Sequence, residues 1–316
     1  MKDAFYKIGS FSKNPLSNPG WIKWNEKKWG VKAEHVIYQK NGKEFPKLEG
    51  IIYRNKRGKI LMPLRNPYLP FEFTDSTTRL DRIYVDYQEV VKLFVDDLLE
   101  YGLCGNIILP PGFIDSRPFQ WAGFSVELRY TFVQDFSQTY ILSNKIKNKL
   151  NKAVKLGYVV ERSKDWQSIL DCISYTENEK KFSNRVSVSD IRICAELLGD
   201  NNFRGYLVKD HKGKPVLGAL RLLQQNGVAL AWSQGGIREN MKDGIVQLVY
   251  DFVLDDIKKS GVLYFDWIGA NIENVALAKS AWGVPLSPQL VIVDRSLKGV
   301  LYNYFKPKVK KLLGKS

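Results

Sequence analysis

Residues 258–295 read KKSGVLYFDWIGANIENVALAKSAWGVPLSPQLVIVDR. VLYFDWIG (262–269) is a short apolar run of strand length, rich in aromatic and branched residues, and so a buried strand. NIENVALAKSAWG (271–283) reads as a helix stopped by glycine, and PQLVIVDR (288–295) as a further strand. Working backwards, MKDGIVQLVYDFVLDDIKKSG (241–261) has the apolar spacing of one long amphipathic helix closing at Gly261. Three strand-like runs precede it: FRGYLVKD (203–210), PVLGALRLLQQ (215–225) and VALAWSQGG (228–236). HKGK and Asn226-Gly227 link them as tight turns, which makes an antiparallel meander. Before that come a strand, GYVVERS (157–163), and two helices. These are KDWQSILDCISYTEN (164–178) and SDIRICAELLG, the second capped by Ser187 or Ser189 and closed by Gly199. The order β-α-α-β-β-β-α-β-α-β puts a meander before a crossover, so the fold is α/β with a mixed sheet.

The first half carries a degraded version of the same order. EHVIYQK, LEGIIYRN and GKILMPL form a second meander, turning at Asn41-Gly42 and at Lys56-Arg57-Gly58. VDYQEVVKLFVDDLLEYG (85–102) is a helix, GNIILP (105–110) and SVELRYTFVQD (125–135) are strands, and Trp21 to Trp29 is helical or irregular. RPFQWAGFSVELRYTFV and KSAWGVPLSPQLVIV even share a plan of Trp, Gly, then strand. Two tandem domains are expected, 1–136 and 137–298, with a basic tail at 299–316. The second would open with a linker helix, 137–157, capped by Ser137 and ended by Gly157. Ile146, Leu150 and Ala153 fall on its apolar stripe, and Lys145, Lys149 and Lys152 on a basic face.

The chain has 316 residues, 44% hydrophobic and 13% aromatic, which excludes wholesale disorder. Apolar runs fall short of the ~18 residues a membrane span needs, and MKDAFYKIGS has no apolar signal core, so the reading is cytoplasmic. Cys104, Cys172 and Cys194 are widely spaced and read as buried free thiols. His35 and His211 lie in no motif for a Ser-His-Asp triad or a metal site, so no metal is expected. The net charge of +15 is concentrated. Residues 21–65 hold twelve Lys/Arg against four Glu, residues 143–164 seven against one, and residues 305–316 five lysines. Such patches suit a phosphorylated small molecule, a nucleic acid or an anionic membrane surface. The tail is a candidate contact for anionic lipid at the inner face of the membrane, or a solubilising end.

These residues resemble the FemABX and BioF2-like transferases. TYILSNKIKNKLNKAVKLGYVVERS is similar to that family's linker, with Lys147 and Lys149 where an arginine is usual. KKSGVLYFDWIGANIENVALAKSAWGV is similar to its strand, turn and Lys-containing helix, with Ala278 before Lys279 where a phenylalanine is common. NPGWIKWNEKKWGVKAEHVIY is similar to its Trp-x3-Lys segment. The resemblance covers most of residues 18–295 and implies two domains of the GNAT acyltransferase type. It implies an N-acyltransferase moving an acyl or aminoacyl group onto an amine of a cell-envelope glycan, a peptidoglycan precursor or a related amino sugar or peptide. The co-substrate would be an acyl-CoA or an aminoacyl-tRNA, with nothing bound permanently, and the acceptor phosphorylated or nucleotide-linked. The alternative is a non-catalytic RNA-binding module using the linker helix and the N-terminal patch to hold tRNA.

Direct attack by an amine needs no covalent enzyme intermediate. It needs positioning, a base, and stabilisation of the oxyanion. The resemblance implies that Lys279 serves the oxyanion. Asp266, a carboxylate in a buried strand, is either a base or a hydrogen-bonded structural group. Asn271 follows the turn and suits a helix cap or a substrate contact. Trp232 and Gln234 end the middle meander strand, where a GNAT-type fold exposes backbone to the donor. Trp24 and Lys28 form the Trp-x3-Lys pair, and Lys28 and Arg185 would hold phosphates. GGIRENMKDGIVQ carries a single glycine, Gly244, at its helix start, so the usual glycine-rich pyrophosphate cradle is not expected there.

Overall fold

The computed structural model describes residues 11–40, 43–179 and 185–294. The expected turn at Asn41-Gly42 and the tail 299–316 lie outside them. The described chain divides into two units that are not contiguous in sequence. One takes Phe11, 25–129 and 288–294, and the other 12–24 and 130–287.

In the first unit, β1 (Lys32–Gln39) pairs antiparallel with β2 (Lys47–Arg54) over their whole length. The other edge of β2 takes β3 (Ile60–Leu61) at one end and β4 (Phe71–Thr74) at the other. The third strand of the expected meander, GKILMPL, is thus shortened to β3, and β4 is a further strand that the sequence reading lacked. Helix α2 (Leu80–Tyr101) buries Tyr87, Val90, Val91, Phe94, Val95 and Leu98, and Phe94 meets Phe71 at 4.6 Å. This i, i+3, i+4 spacing is the reason the segment is a helix. The strand β5 (Asn106–Ile108) pairs with β12 (Leu286–Val293), Val291 opposite Ile108. After β5 come α3 (Arg117–Trp121) and β6 (Ser125–Asp135).

The second unit carries a sheet in the order β6-β11-β10-β9-β8-β7. Its members are β7 (Val159–Arg162), β8 (Phe203–Lys209), β9 (Pro215–Leu223), β10 (Val228–Gly236) and β11 (Tyr264–Asp266). β7 to β10 run antiparallel, β10 and β11 are parallel, and β11 is antiparallel to β6. The meander and the mixed sheet read from the sequence are both present. The Trp-Gly-strand plan shared by the two halves is also present: Gly123 and Gly283, both with positive φ, precede β6 and β12. The strands are exchanged, however. β6 completes the sheet of β11, while β12 completes β5.

Helix α5 (Trp166–Glu179) lies close on one face of this sheet. A Cβ on Gly218 would stand 2.4 Å from the Ile169 carbonyl oxygen, and one on its cross-strand neighbour Gly235 2.7 Å from Ile173 Cα. Only glycine admits that approach. After α5 comes α6 (Val188–Leu198), whose start is a capping box between Ser187 and Asp190. On the other face, α8 (Ile245–Lys259) packs Val249, Tyr250 and Val253 against Tyr206, Leu217, Ala219 and Leu223.

Three local readings differ. The linker helix α4 spans Asn144–Lys155 and is capped by Ser143, not Ser137. The Asp135 amide donates to the Tyr140 hydroxyl, which ties the chain before α4 to the end of β6, and Ile141 is 87% exposed. The expected 241–261 helix starts late, as α8 (Ile245–Lys259) after Gly244 with φ 93°, and a separate short helix, α7 (Arg238–Met241), precedes it. Cys104 is exposed, while Cys172 and Cys194 are buried. Among the described residues no helix is long and apolar enough to cross a membrane.

Candidate active site

The parallel strands β10 and β11 pair over three residues only, ending at Leu230 opposite Asp266. There β10 takes an extra residue against β9: Leu230 faces Leu222, but Ser233 faces Leu220. A bulge at Ala231-Trp232 bends β10 away just where β11 stops.

Asp266 ends β11 and is 1% exposed. Its Oδ1 accepts from Thr131 Oγ1 at 2.5 Å and from the Ile268 amide at 2.9 Å. Oδ2 has no hydrogen-bond partner among the described residues. Burial pushes the carboxyl up from 3.8 to about 6, and the Thr131 and Ile268 bonds and the Lys279 charge oppose that rise.

Beyond Asp266 the strand breaks off sharply. Ile268 has φ 45° and Gly269 φ 76°. A left-handed β-branched residue is strained unless its surroundings hold it. Lys279, from α9 (Glu273–Ser280), does so: its Nζ donates to the carbonyls of Trp267 (2.7 Å), Ile268 (2.5 Å) and Gly269 (2.9 Å). Its stem is partly exposed but its ammonium is enclosed. Burial lowers Lys279 to about 8, with the Asp266 charge opposing and the Arg221 charge adding to the fall. An ammonium has three N–H donors, and all three are engaged.

Arg221, on β9 opposite the bulge, is fully buried. It donates from Nη1 to the Leu220 (3.0 Å) and Ser233 (3.1 Å) carbonyls and from Nη2 to Gln234 Oε1 at 2.6 Å. Its guanidinium lies 5.4 Å from the Tyr250 ring centre, and Tyr250 stacks on Trp267 at 4.4 Å. Asp266, Lys279, Arg221 and Gln234 therefore gather where β10 and β11 part.

The remaining expected residues lie elsewhere. Asn271 does not cap α9, whose N-cap is Ile272; it bonds the Tyr130 amide (2.9 Å) and carbonyl (3.1 Å) as a strand would. Trp232 packs edge-on against Trp21 and Trp24, which stack on each other at 4.8 Å, and Trp24 Nε1 donates to the Asp190 carbonyl. Arg185 is exposed with φ 59°. Lys28 belongs to the first unit, at the end of α1 (Pro19–Trp29), its Nζ 5.4 Å from the Trp29 ring centre. Gly244 packs on α4, where a Cβ would stand 2.1 Å from the Lys149 carbonyl oxygen. Lys149 and Lys152, expected on a free basic face, both donate to the Lys242 carbonyl, and Lys152 also pairs with Asp243.

Arg221 and Thr131 were not singled out from the sequence. Arg221 is the lone charge in the apolar run PVLGALRLL, the same signal that flagged Asp266 in VLYFDWIG. Thr131 carries no such signal, because only the pairing of β6 with β11 brings it to Asp266.

The sequence matches no family model and no curated protein. Solved structures do match. One is FemX, at 14% identity and TM-score 0.60, with 96% of this chain and 97% of that one covered. Another is the C-terminal domain of a putative lysylphosphatidylglycerol synthetase from Agrobacterium fabrum, at 9% identity, 95% and 94% coverage and TM-score 0.58. A third is L-PGS from Bacillus licheniformis, at 13% identity, 93% and 97% coverage and TM-score 0.52. The chain thus has a mixed α/β fold like that of FemX, the fold its resemblance to the FemABX transferases implied.

Proposed function

We propose that the protein is an N-acyltransferase that moves an acyl or aminoacyl group onto an amine of a cell-envelope glycan, a peptidoglycan precursor or a related amino sugar or peptide. The observation that carries this reading is Asp266: a buried carboxylate, raised to about 6, with one oxygen unengaged where the pairing of β10 and β11 ends. A base of that pKa is ionised at neutral pH and strong enough to take a proton from an attacking amine. The amine nitrogen attacks the donor carbonyl and the N–C bond forms. Asp266 takes the proton, the tetrahedral intermediate collapses, and the bond to the leaving oxygen or sulfur breaks. Asp266 then returns the proton to the leaving group. No covalent enzyme intermediate is needed. Lys279 acts by holding the turn that places Asp266, because its donors are already spent on carbonyls.

The donor would be an acyl-CoA or an aminoacyl-tRNA. The contact of Gly244 with the α4 backbone occupies the helix start where a pyrophosphate cradle would be sought, which favours an aminoacyl donor. Lys145, Lys147 and Lys155 of α4 remain exposed and suit a polyanion. Lys28 and Arg185 are proposed contacts for acceptor phosphates, and the tail a proposed contact for anionic lipid. The test is a panel of acetyl-CoA, longer acyl-CoAs and aminoacyl-tRNAs against UDP-linked and free amino-sugar acceptors, read by mass spectrometry. With a productive pair, Asp266→Asn lowers kcat by ~10²-fold or more and removes an acid limb near pH 6. An Asp266→Asn enzyme as fast as wild type refutes the base. A wild type that transfers nothing yet binds tRNA, and loses that binding in a Lys145/Lys147/Lys155→Glu variant, supports the RNA-binding alternative.

A further inference from the structure

Arg221 is a cation in an apolar place. It sits on the face of β9 shared by Leu217, Ala219 and Leu223, at 0% exposure. Among the described residues no carboxylate lies within ion-pair distance of it. Its acceptors are two backbone carbonyls and the Gln234 carboxamide, all neutral, and its Nε has no acceptor. A buried guanidinium left without a counter-charge is costly. Its burial gives the β10/β11 opening a standing positive potential, to which Lys279 adds and from which Asp266 subtracts.

The same contact settles which way Gln234 faces. A guanidinium only donates, so Oε1 must point at Arg221 and the amide nitrogen must point away from it. Nε2 has no hydrogen-bond partner among the described residues, and the residue is half-buried. Polarisation by Arg221 makes the two Nε2 protons stronger donors. Gln234 sits on β10 just past the bulge, where that strand has left β11. The donors of Lys279 are committed to carbonyls, and the unpartnered Arg221 Nε and Trp267 Nε1 are buried, so the pinned amide is an uncommitted donor on a half-buried side chain of this cluster.

We infer that Gln234 Nε2 is the hydrogen-bond donor for an anionic oxygen in this site, with Arg221 as the positioning residue that aims and polarises it; on the acyltransferase reading that oxygen is the tetrahedral oxyanion. A neutral amide at 234 is then the functional choice. Glutamate has the same shape and would pair with Arg221, removing a strain in the fold and the positive potential together.

Gln234→Glu separates the two roles, because a stabilising contact and an anion site respond to it in opposite senses. The variant is expected to unfold a few degrees higher than wild type, as the buried guanidinium gains a carboxylate. With a productive donor and acceptor it is expected to lose ~10²–10³-fold in kcat with KM nearly unchanged. Arg221→Lys, which keeps charge but loses the fork, is expected to retain more activity than Arg221→Met. If no donor is found, the acyltransferase reading fails by itself, and inorganic phosphate then tests the inference. Phosphate is titrated against ¹⁵N-labelled full-length protein while the Gln234 side-chain amide resonance is followed, assigned by its absence in Gln234→Glu. Saturable movement of that resonance in wild type, abolished in Arg221→Met, supports the anion site. A Gln234→Glu variant with a raised Tm and wild-type kcat overturns it, as does, where no donor is found, a resonance that phosphate does not move.

Discussion

Lys279→Met tests the arrangement on which the site depends. The substitution keeps an apolar stem of similar length and removes the ammonium that bonds the carbonyls of Trp267, Ile268 and Gly269. Hydrogen bonds to a charged group contribute about 1.5–3 kcal/mol each, so three would sum to ~6 kcal/mol. Two effects reduce that. Water reaches the turn once the partly exposed side chain is shortened, and Asp266 can relieve its own loss of a counter-charge by taking a proton. A net loss of ~3 kcal/mol remains, and it includes release of the left-handed strain at Ile268. At about 2–4 °C per kcal/mol for a body of this size, Tm falls by ~6–12 °C. Urea unfolding followed by tryptophan fluorescence measures this directly, since Trp267 and Trp282 flank the turn at 5.2 Å. Lys279→Arg should fall between, because its longer planar group cannot meet three converging carbonyls as a point donor can. A Lys279→Met protein that loses less than about 1 kcal/mol refutes the carbonyl cage and with it the positioning role given to Lys279.

Three further outcomes follow from the same geometry. Asp266 is raised from 3.8 to about 6 in the folded chain, so the native state binds more protons than the unfolded state across that window. Its contribution is therefore fully present below pH 3.8 and is lost as pH rises through 6, by ~3 kcal/mol; Asp266→Asn flattens that slope in urea midpoints taken from pH 4 to 7, and an unchanged slope rejects the assignment. Gly218→Ala places a Cβ 2.4 Å from the Ile169 carbonyl oxygen and should cost ~1–3 kcal/mol by overpacking, a cost that an unchanged thermal unfolding curve would deny. Ser143→Ala should cost ~1 kcal/mol through loss of the α4 cap, while Ser137→Ala changes chemical stability little; the reverse ranking places the helix start at Ser137.

Much of the second unit was legible because its signals are local. The meander turns, the glycines ending α6 and α8, and the strand-length apolar runs of β8 to β10 are all properties of short windows. Boundaries failed where a tertiary contact outbid a local one. Ser137 is a sound cap by composition, yet Tyr140 is held to β6 and the helix waits for Ser143. The run 241–261 has helical spacing throughout, but the packing of Gly244 on α4 breaks it. Asp266 was legible as a charge misplaced in an apolar strand; the same rule would have found Arg221.

The sequence by itself determined the element order of the second unit, the mixed sheet and the choice of Asp266 as a residue of interest, while its resemblance to the FemABX transferases pointed to Lys279. The first three follow from periodicity, glycine placement and the cost of burying charge, all of which a linear chain displays. Only the tertiary structure decided what each group contacts. Strand exchange, with β6 on β11 and β12 on β5, brings Thr131 to Asp266 and makes the units non-contiguous. Three carbonyls converge on Lys279, the oxyanion candidate of the sequence, and Gln234 meets Arg221 beside a bulge. Hydrogen bonds are directional and saturable, so which donors remain for chemistry depends on partners far away in sequence, and no local pattern can report that.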